Sequence, residues 1–156
     1  SQMVAALAVE DLDPSGEVVL DLCAAPGGKA TAMAAAGASV VAADLRPSRL
    51  GLVGDNAERL GHDMALVAAD GRLPPFRAGS FDRVLVDAPC SGLGVLRRRA
   101  DARWRIGPAD VEELADLQLD LLTAAAGLVR PGGLLFYSVC TLTSACPLYT
   151  SPSPRD

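Results

Sequence analysis

The sequence predicts an α/β fold built on a doubly wound, mostly parallel sheet. Short apolar runs rich in valine, leucine and alanine alternate with segments of helical periodicity. Each run is too uniformly apolar to leave one face wet, as expected of strands covered on both sides. A glycine loop, Ala25-Pro26-Gly27-Gly28-Lys29, follows the first run directly, where such sheets hold ligands.

The elements follow in order. Val18 to Cys23 reads as the first strand, bounded by Pro14-Ser15-Gly16 and Pro26-Gly27-Gly28. Lys29 to Ala36 is alanine-rich and helical, stopping at Gly37 as at a C-cap. Ser39 to Ala43 is the second strand, closed by Asp44. Pro47 to Leu60 is a helix with Leu50, Val53, Ala57 and Leu60 on one face and Gly61 as terminator. Met64 to Ala68 is a short third strand before Asp70-Gly71, and Phe81 to Val86 a fourth leading into Asp87. Pro108 to Leu128 carries leucines at helical spacing. Leu134 to Ser138 is the fifth strand, introduced by the turn Arg130-Pro131-Gly132-Gly133. Ser144 to Asp156 is expected to be disordered, because Cys146-Pro147 and Ser151-Pro152-Ser153-Pro154 break any regular element.

The 156 residues suffice for one domain with a real core. No apolar stretch approaches the roughly 20 residues of a membrane span. Ser1-Gln2-Met3-Val4 lacks the pattern of a signal peptide, so with four cysteines a reduced, cytoplasmic setting is expected. A net charge of −5 argues against indiscriminate nucleic-acid binding, yet Arg97, Arg98, Arg99, Arg103 and Arg105 cluster around Trp104.

Asp21, Asp44, Asp70 and Asp87 stand at or near four strand ends. Each alone is compatible with an ordinary strand-terminating turn residue. Together with the loop they form an acidic rim, with Asp44 placed to reach a ribose diol. The loop has neither dinucleotide nor P-loop spacing, and Lys29 is its only cation, which disfavours a triphosphate. A cationic, ribose-bearing cofactor such as S-adenosylmethionine fits such a rim.

The cysteines divide into two kinds. Cys23 and Cys146 read as small hydrophobes, and spacings of 67, 50 and 6 residues between Cys23, Cys90, Cys140 and Cys146 give no zinc site. The lone His62, after a helix-ending glycine, is expected at the surface. Cys90 and Cys140 both follow apolar runs, and each is compatible with simple burial. As a pair at strand ends they also suit covalent chemistry: one thiolate adds to an electron-poor pyrimidine C6, and a second group helps remove the C5 proton.

Leu20-Asp21-Leu22-Cys23-Ala24-Ala25-Pro26-Gly27-Gly28-Lys29, Asp87-Ala88-Pro89-Cys90-Ser91-Gly92 and Tyr137-Ser138-Val139-Cys140-Thr141-Leu142 resemble, in this order, the motifs of the RsmB/Sun-type RNA (cytosine-5) methyltransferases. The resemblance covers residues 1 to about 143, taken as a Rossmann-like catalytic domain truncated at both ends. It implies an S-adenosylmethionine-dependent enzyme acting on RNA, expected to be ribosomal, without a metal and as a monomer. Cys23, Ala24, Ala25, Pro26, Gly27, Gly28 and Lys29 resemble the cofactor loop. Asp44 resembles the ribose acid, Asp70 the acid near adenine, and Asp87 the aspartate between cofactor and cytosine. Cys140 resembles the nucleophile and Cys90 the cysteine that releases methylated RNA, with Lys29 and Asp87 beside them. The run Arg97 to Arg105 resembles a segment beside the active site, suited to phosphate contact or to a solvated loop.

Ala100 and Val139 depart from the family pattern, which usually has proline and threonine there. After Thr143 the pattern stops: the last strands are expected to be missing, and Leu148 to Asp156 resembles translated adapter sequence, a non-native end. Two other functions stay open, an inert RNA- or nucleotide-binding fragment and a small-molecule methyltransferase.

Overall fold

The structure, a computed structural model, describes residues 2–11, 16–89 and 108–139. The tail from Ser144 and the arginine run lie outside these residues. The chain forms α1 (Gln2–Ala8), β1 (Val18–Asp21), α2 (Gly28–Ala35), β2 (Ser39–Asp44), α3 (Pro47–Leu60), β3 (Ala65–Ala68), β4 (Phe81–Asp87), α4 (Pro108–Leu128) and β5 (Val129–Ser138). The five described strands lie in the order β3-β2-β1-β4-β5, and every neighbouring pair is parallel. This is the doubly wound α/β sheet that the alternating pattern predicted.

Alternation along the strands sends side chains to two cores. Val19, Val40, Ala42 and Leu85 face one side, packed with Ala5 and Ala8 of α1, Ala30 and Met33 of α2, and Leu50 and Val53 of α3. Leu20, Ala43, Val84 and Val86 face the other, against Leu121, Ala125 and Leu128 of α4. Between β3 and β4 the chain crosses this second face without a helix, and Phe76 there meets Phe81 edge to face at 5.1 Å. The alanines of α1 and α2 have a packing reason, since small side chains let two helices share one narrow layer.

Three departures from expectation have local causes. Strand β1 is assigned only to Asp21, although hydrogen bonds to both neighbours continue: Leu22 N–H donates to Leu85 O and Ala24 N–H to Ala43 O, each at 2.9 Å. The expected turn Arg130 to Gly133 lies inside β5, where pairing jumps from Phe81↔Val129 to Arg83↔Leu134. Gly133 fits there because a Cβ would stand 2.5 Å from Asp82 O. His62 is half-buried rather than exposed.

Helix α1 was not anticipated, and Arg83 explains its place. Arg83 is buried in β4, where its guanidinium donates to the carbonyls of Ala8, Glu10 and Asp11 and to Glu17 Oε2 at 2.6 Å. One rigid fork thus satisfies the last carbonyl of α1 and two more in the turn that follows it.

Candidate active site

Parallel strands put their carboxyl ends on one edge, so the acids meet there. Asp21, Asp44 and Asp87 are the last residues of β1, β2 and β4, and Asp70 stands two residues beyond β3. The winding reverses at β1, which has β2 on one side and β4 on the other. A doubly wound sheet opens its ligand crevice at such a reversal.

The glycine loop is clamped over this edge by α3 and β2. Asp44 Oδ2 accepts from Ala25 N–H at 3.2 Å, and its Oδ1 accepts from Arg46 N–H at 3.1 Å. Arg49 Nη2 donates to Ala25 O at 3.0 Å, and Asn56 Nδ2 to Pro26 O at 2.8 Å. The Ala25–Pro26 bond is cis, and Gly27 has φ +104°. A Cβ on Gly27 would lie 3.0 Å from Val53 Cα, whereas one on Gly28 would meet nothing within 4 Å. The loop is therefore pressed against α3 at Gly27 and open at Gly28.

Behind the loop lies a small, largely buried charge cluster. Lys29 Nζ and Asp87 Oδ2 are 2.6 Å apart, with 10% and 26% of the side chains exposed. Asp21 is completely buried, and neither carboxylate oxygen has a hydrogen-bond partner among the described residues. Burial pushes its carboxyl up to about 7; the Lys29 charge opposes this, Asp87 and Asp44 add to it, and the Cys23 N–H eases it without a bond of good geometry. Cys23 is pushed up to about 12, first by burial and then by the carboxylates, which disfavours its thiolate. Asp70 stands apart: Arg72 holds it bidentately, with Nη2 at 2.7 Å, and those hydrogen bonds keep its carboxyl below the usual range.

The Asp21 carboxyl has a consequence for stability. A buried acid with a raised folded pKa binds more protons in the native state, so folding loses stability as pH rises from about 4 to about 7. The ceiling is on the order of 4 kcal/mol, at 1.36 kcal/mol per unit over roughly three units. Asp21→Asn should therefore gain on the parent as pH rises, its lead in urea midpoint being larger at pH 8 than at pH 5. An equal difference at both pH values would refute this.

On the β4 and β5 side, Gln118 of α4 bridges two strand ends. Its Nε2 donates to Pro89 O at 2.8 Å and its Oε1 accepts from Tyr137 Oη at 3.3 Å, with the side chain buried. Ala88 N–H also donates to Ser138 O at 2.9 Å.

A family profile of 16S rRNA methyltransferase RsmB/F matches residues 8–146. This chain belongs to the RsmB/F family. It is 46% identical over 132 residues to ribosomal RNA small subunit methyltransferase B of Klebsiella pneumoniae, covering 82% of this chain and 31% of that protein. It is 49% identical to a candidate methyltransferase of Mycobacterium tuberculosis, Rv1407, covering 90% of this chain and 31% of the relative. The crystal structure of NSun6 from Pyrococcus horikoshii with SFG superposes with a TM-score of 0.78 at 33% identity, over 92% of this chain and 37% of that one. The RsmB/F chain thus spans about a third of the length of the relatives it matches.

In this RsmB/F chain the crevice brings together the loop from Cys23 to Lys29, Asp44 and Asp87. It leaves Asp70 on the rim, tied to Arg72. Cys90 and Cys140 lie outside the described residues, as do Arg97 to Arg105 and Trp104. The structure adds Asp21, Arg49, Asn56 and Gln118. Arg49, Val53 and Asn56 recur at helical spacing on α3, and Gln118 interrupts the leucine face of α4, signals present in the sequence but weak beside the motifs. No described helix is long and apolar enough to cross a membrane. No three His, Cys, Asp or Glu side chains among the described residues group as metal ligands.

Proposed function

We propose that this chain is catalytic sequence of an S-adenosylmethionine-dependent RNA methyltransferase that modifies C5 of a cytosine, in ribosomal RNA. The carrying observation is that, in an RsmB/F chain, one sheet edge joins a clamped glycine loop, the strand-end acid Asp44 and the Lys29–Asp87 pair. Three features support the cofactor. Asp44 spends two acceptor positions on backbone N–H groups, and a carboxylate offers about four, so two remain for a diol. Gly28 opens the loop to close approach at the start of a helix. The acidic surroundings suit a positive ligand.

The cofactor, when bound, supplies an electrophilic methyl group. Asp87, the more exposed member of its ion pair, is the carboxylate that can accept from the amino edge of cytosine. In the unliganded crevice Lys29 pairs with it. Cys140 adds to C6, and Cys90 assists departure of the C5 proton and breakage of the S–C6 bond. The Arg97 to Arg105 run supplies phosphate contacts.

The test is transfer of labelled methyl from S-adenosylmethionine to small-subunit rRNA by the complete polypeptide, followed by nuclease digestion and chromatography. The label should appear in 5-methylcytidine. Label in another nucleoside, or none, refutes the reading. Running the 156-residue chain in parallel, with calorimetric titration of S-adenosylmethionine, separates binding from turnover.

A further inference from the structure

Asp21 is the one described group whose buried polar atoms have no partner. It sits at the end of β1, between β2 and β4, under the loop that leads into α2. The charged and titratable groups acting on it are Lys29 of α2, Asp87 of β4, Asp44 of β2 and the Cys23 thiol, with Arg49 of α3 acting on that thiol and on Asp44. Among these, Lys29 is the cation that acts most strongly on Asp21, yet its ammonium is bonded to Asp87.

The arrangement is asymmetric. The Asp87 side chain is 26% exposed and opens toward the crevice, whereas Lys29 is 10% exposed and Asp21 is fully enclosed. A ligand donor that binds the Asp87 carboxylate competes with Lys29 for it. An ammonium left unpaired in a largely buried site is costly, and Asp21, paired in register with Leu85 two residues before Asp87, is a buried acceptor without a partner among the described residues.

We propose that Asp21 is a second seat for the Lys29 ammonium, taken when a bound ligand claims Asp87. With Asp87 bonded to Lys29, burial favours the protonated form of Asp21 and the cluster holds one ion pair. When Lys29 moves, Asp21 releases its proton to solvent, and the O–H bond is replaced by an ammonium–carboxylate contact. Asp21 is thus a positioning residue: it retains the cation in the crevice while Asp87 is engaged. The ligand that claims Asp87 rests on the function proposed above, but the existence of the seat does not.

The seat is therefore tested without ligand, on the 156-residue chain, by following the Asp21 carboxyl carbon by NMR as a function of pH. Asp87→Asn imitates a claimed Asp87 and should lower the Asp21 midpoint by about one pH unit or more, within the range an adjacent cation produces. Loss of the Asp87 charge alone also lowers it, as it would beside a Lys29 that stayed in place, so the Lys29 Nζ resonance is followed in the same titration. In Asp87→Asn it should shift with the Asp21 midpoint, as a directly bonded ammonium does; an unchanged Asp21 midpoint, or a Lys29 resonance that does not follow it, overturns the proposal.

If Asp87→Asn does not fold, the parent answers by calorimetry. S-adenosylhomocysteine and cytidine monophosphate are titrated together at pH 7 in buffers of different ionisation enthalpy. Proton release in the parent that disappears in Lys29→Gln supports the seat; saturable binding with equal release in both overturns it. No binding at all refutes the proposed function, and the seat as a response to ligand with it.

Discussion

Cys140→Ala should bring methyl transfer by the complete enzyme to background, a loss of roughly 10⁴-fold or more as expected when a covalent nucleophile is removed. Cys90→Ala should instead leave protein bound to RNA. On the proposed mechanism the two outcomes differ because the thiols act at different bonds. Addition of a thiolate to C6 makes C5 nucleophilic; methylation then leaves a proton on C5 that must depart before the S–C6 bond can break. Without the first thiol nothing starts, and without the second the adduct persists through a denaturing gel. Asp87 pairs with Ser138 on parallel neighbours, so the described strand ends that precede Cys90 and Cys140 in sequence lie side by side. Gln118 holds Pro89 and Tyr137 on that same edge. Survival of transfer in Cys140→Ala, with no adduct in Cys90→Ala, would sink the assignment and favour a small-molecule methyltransferase.

Gly27→Val is the second large effect, on stability and on ligand binding together. The position has φ +104°, and a Cβ there would stand 3.0 Å from the Val53 backbone. Left-handed backbone costs about 1–2 kcal/mol for a residue with a Cβ, and overpacking adds about 1–3 kcal/mol. The expected loss is thus about 2–5 kcal/mol in urea unfolding. The loop can escape only by lifting off α3, which breaks the hydrogen bonds from Arg49 and Asn56, so S-adenosylmethionine affinity should fall about 100-fold, the cost of roughly two such bonds. Gly28→Ala is the contrast: no atom lies within 4 Å of its Cβ, and stability should change by less than about 1 kcal/mol. Equal unfolding midpoints and affinities in Gly27→Val and the parent would refute the clamp.

Much of the frame was legible because its signals are local. The bounds of α3 and α4 follow from Pro47, Gly61, Pro108 and the leucine spacing, and the structure places both helices at those residues. Strand identity followed from apolar runs, and the parallel sheet from their alternation with helices. Helix α1 was missed because its alanines lack a strong periodic stripe, and its end is held by an arginine 75 residues away. The interior of β5 was read as a turn because Pro131-Gly132-Gly133 is turn chemistry, which a register shift absorbed.

At the site, the sequence by itself determined the residue kinds and their order: a glycine loop, four strand-end acids and the family to which the chain belongs. Chemistry of that kind is written in short motifs, because loop geometry and reactive groups need particular side chains at fixed spacing. What only the tertiary structure decided is how those groups share charge. Asp44 and Asp70 look alike in sequence, yet one straps the loop and the other is held by Arg72. Asp21 and Asp87 both end strands, yet Asp87 has the Lys29 ammonium and Asp21 is sealed without a partner among the described residues. Burial and pairing depend on what β1, β2, β4 and α2 bring to one point, and electrostatic energy depends on that convergence, not on the letter in the chain.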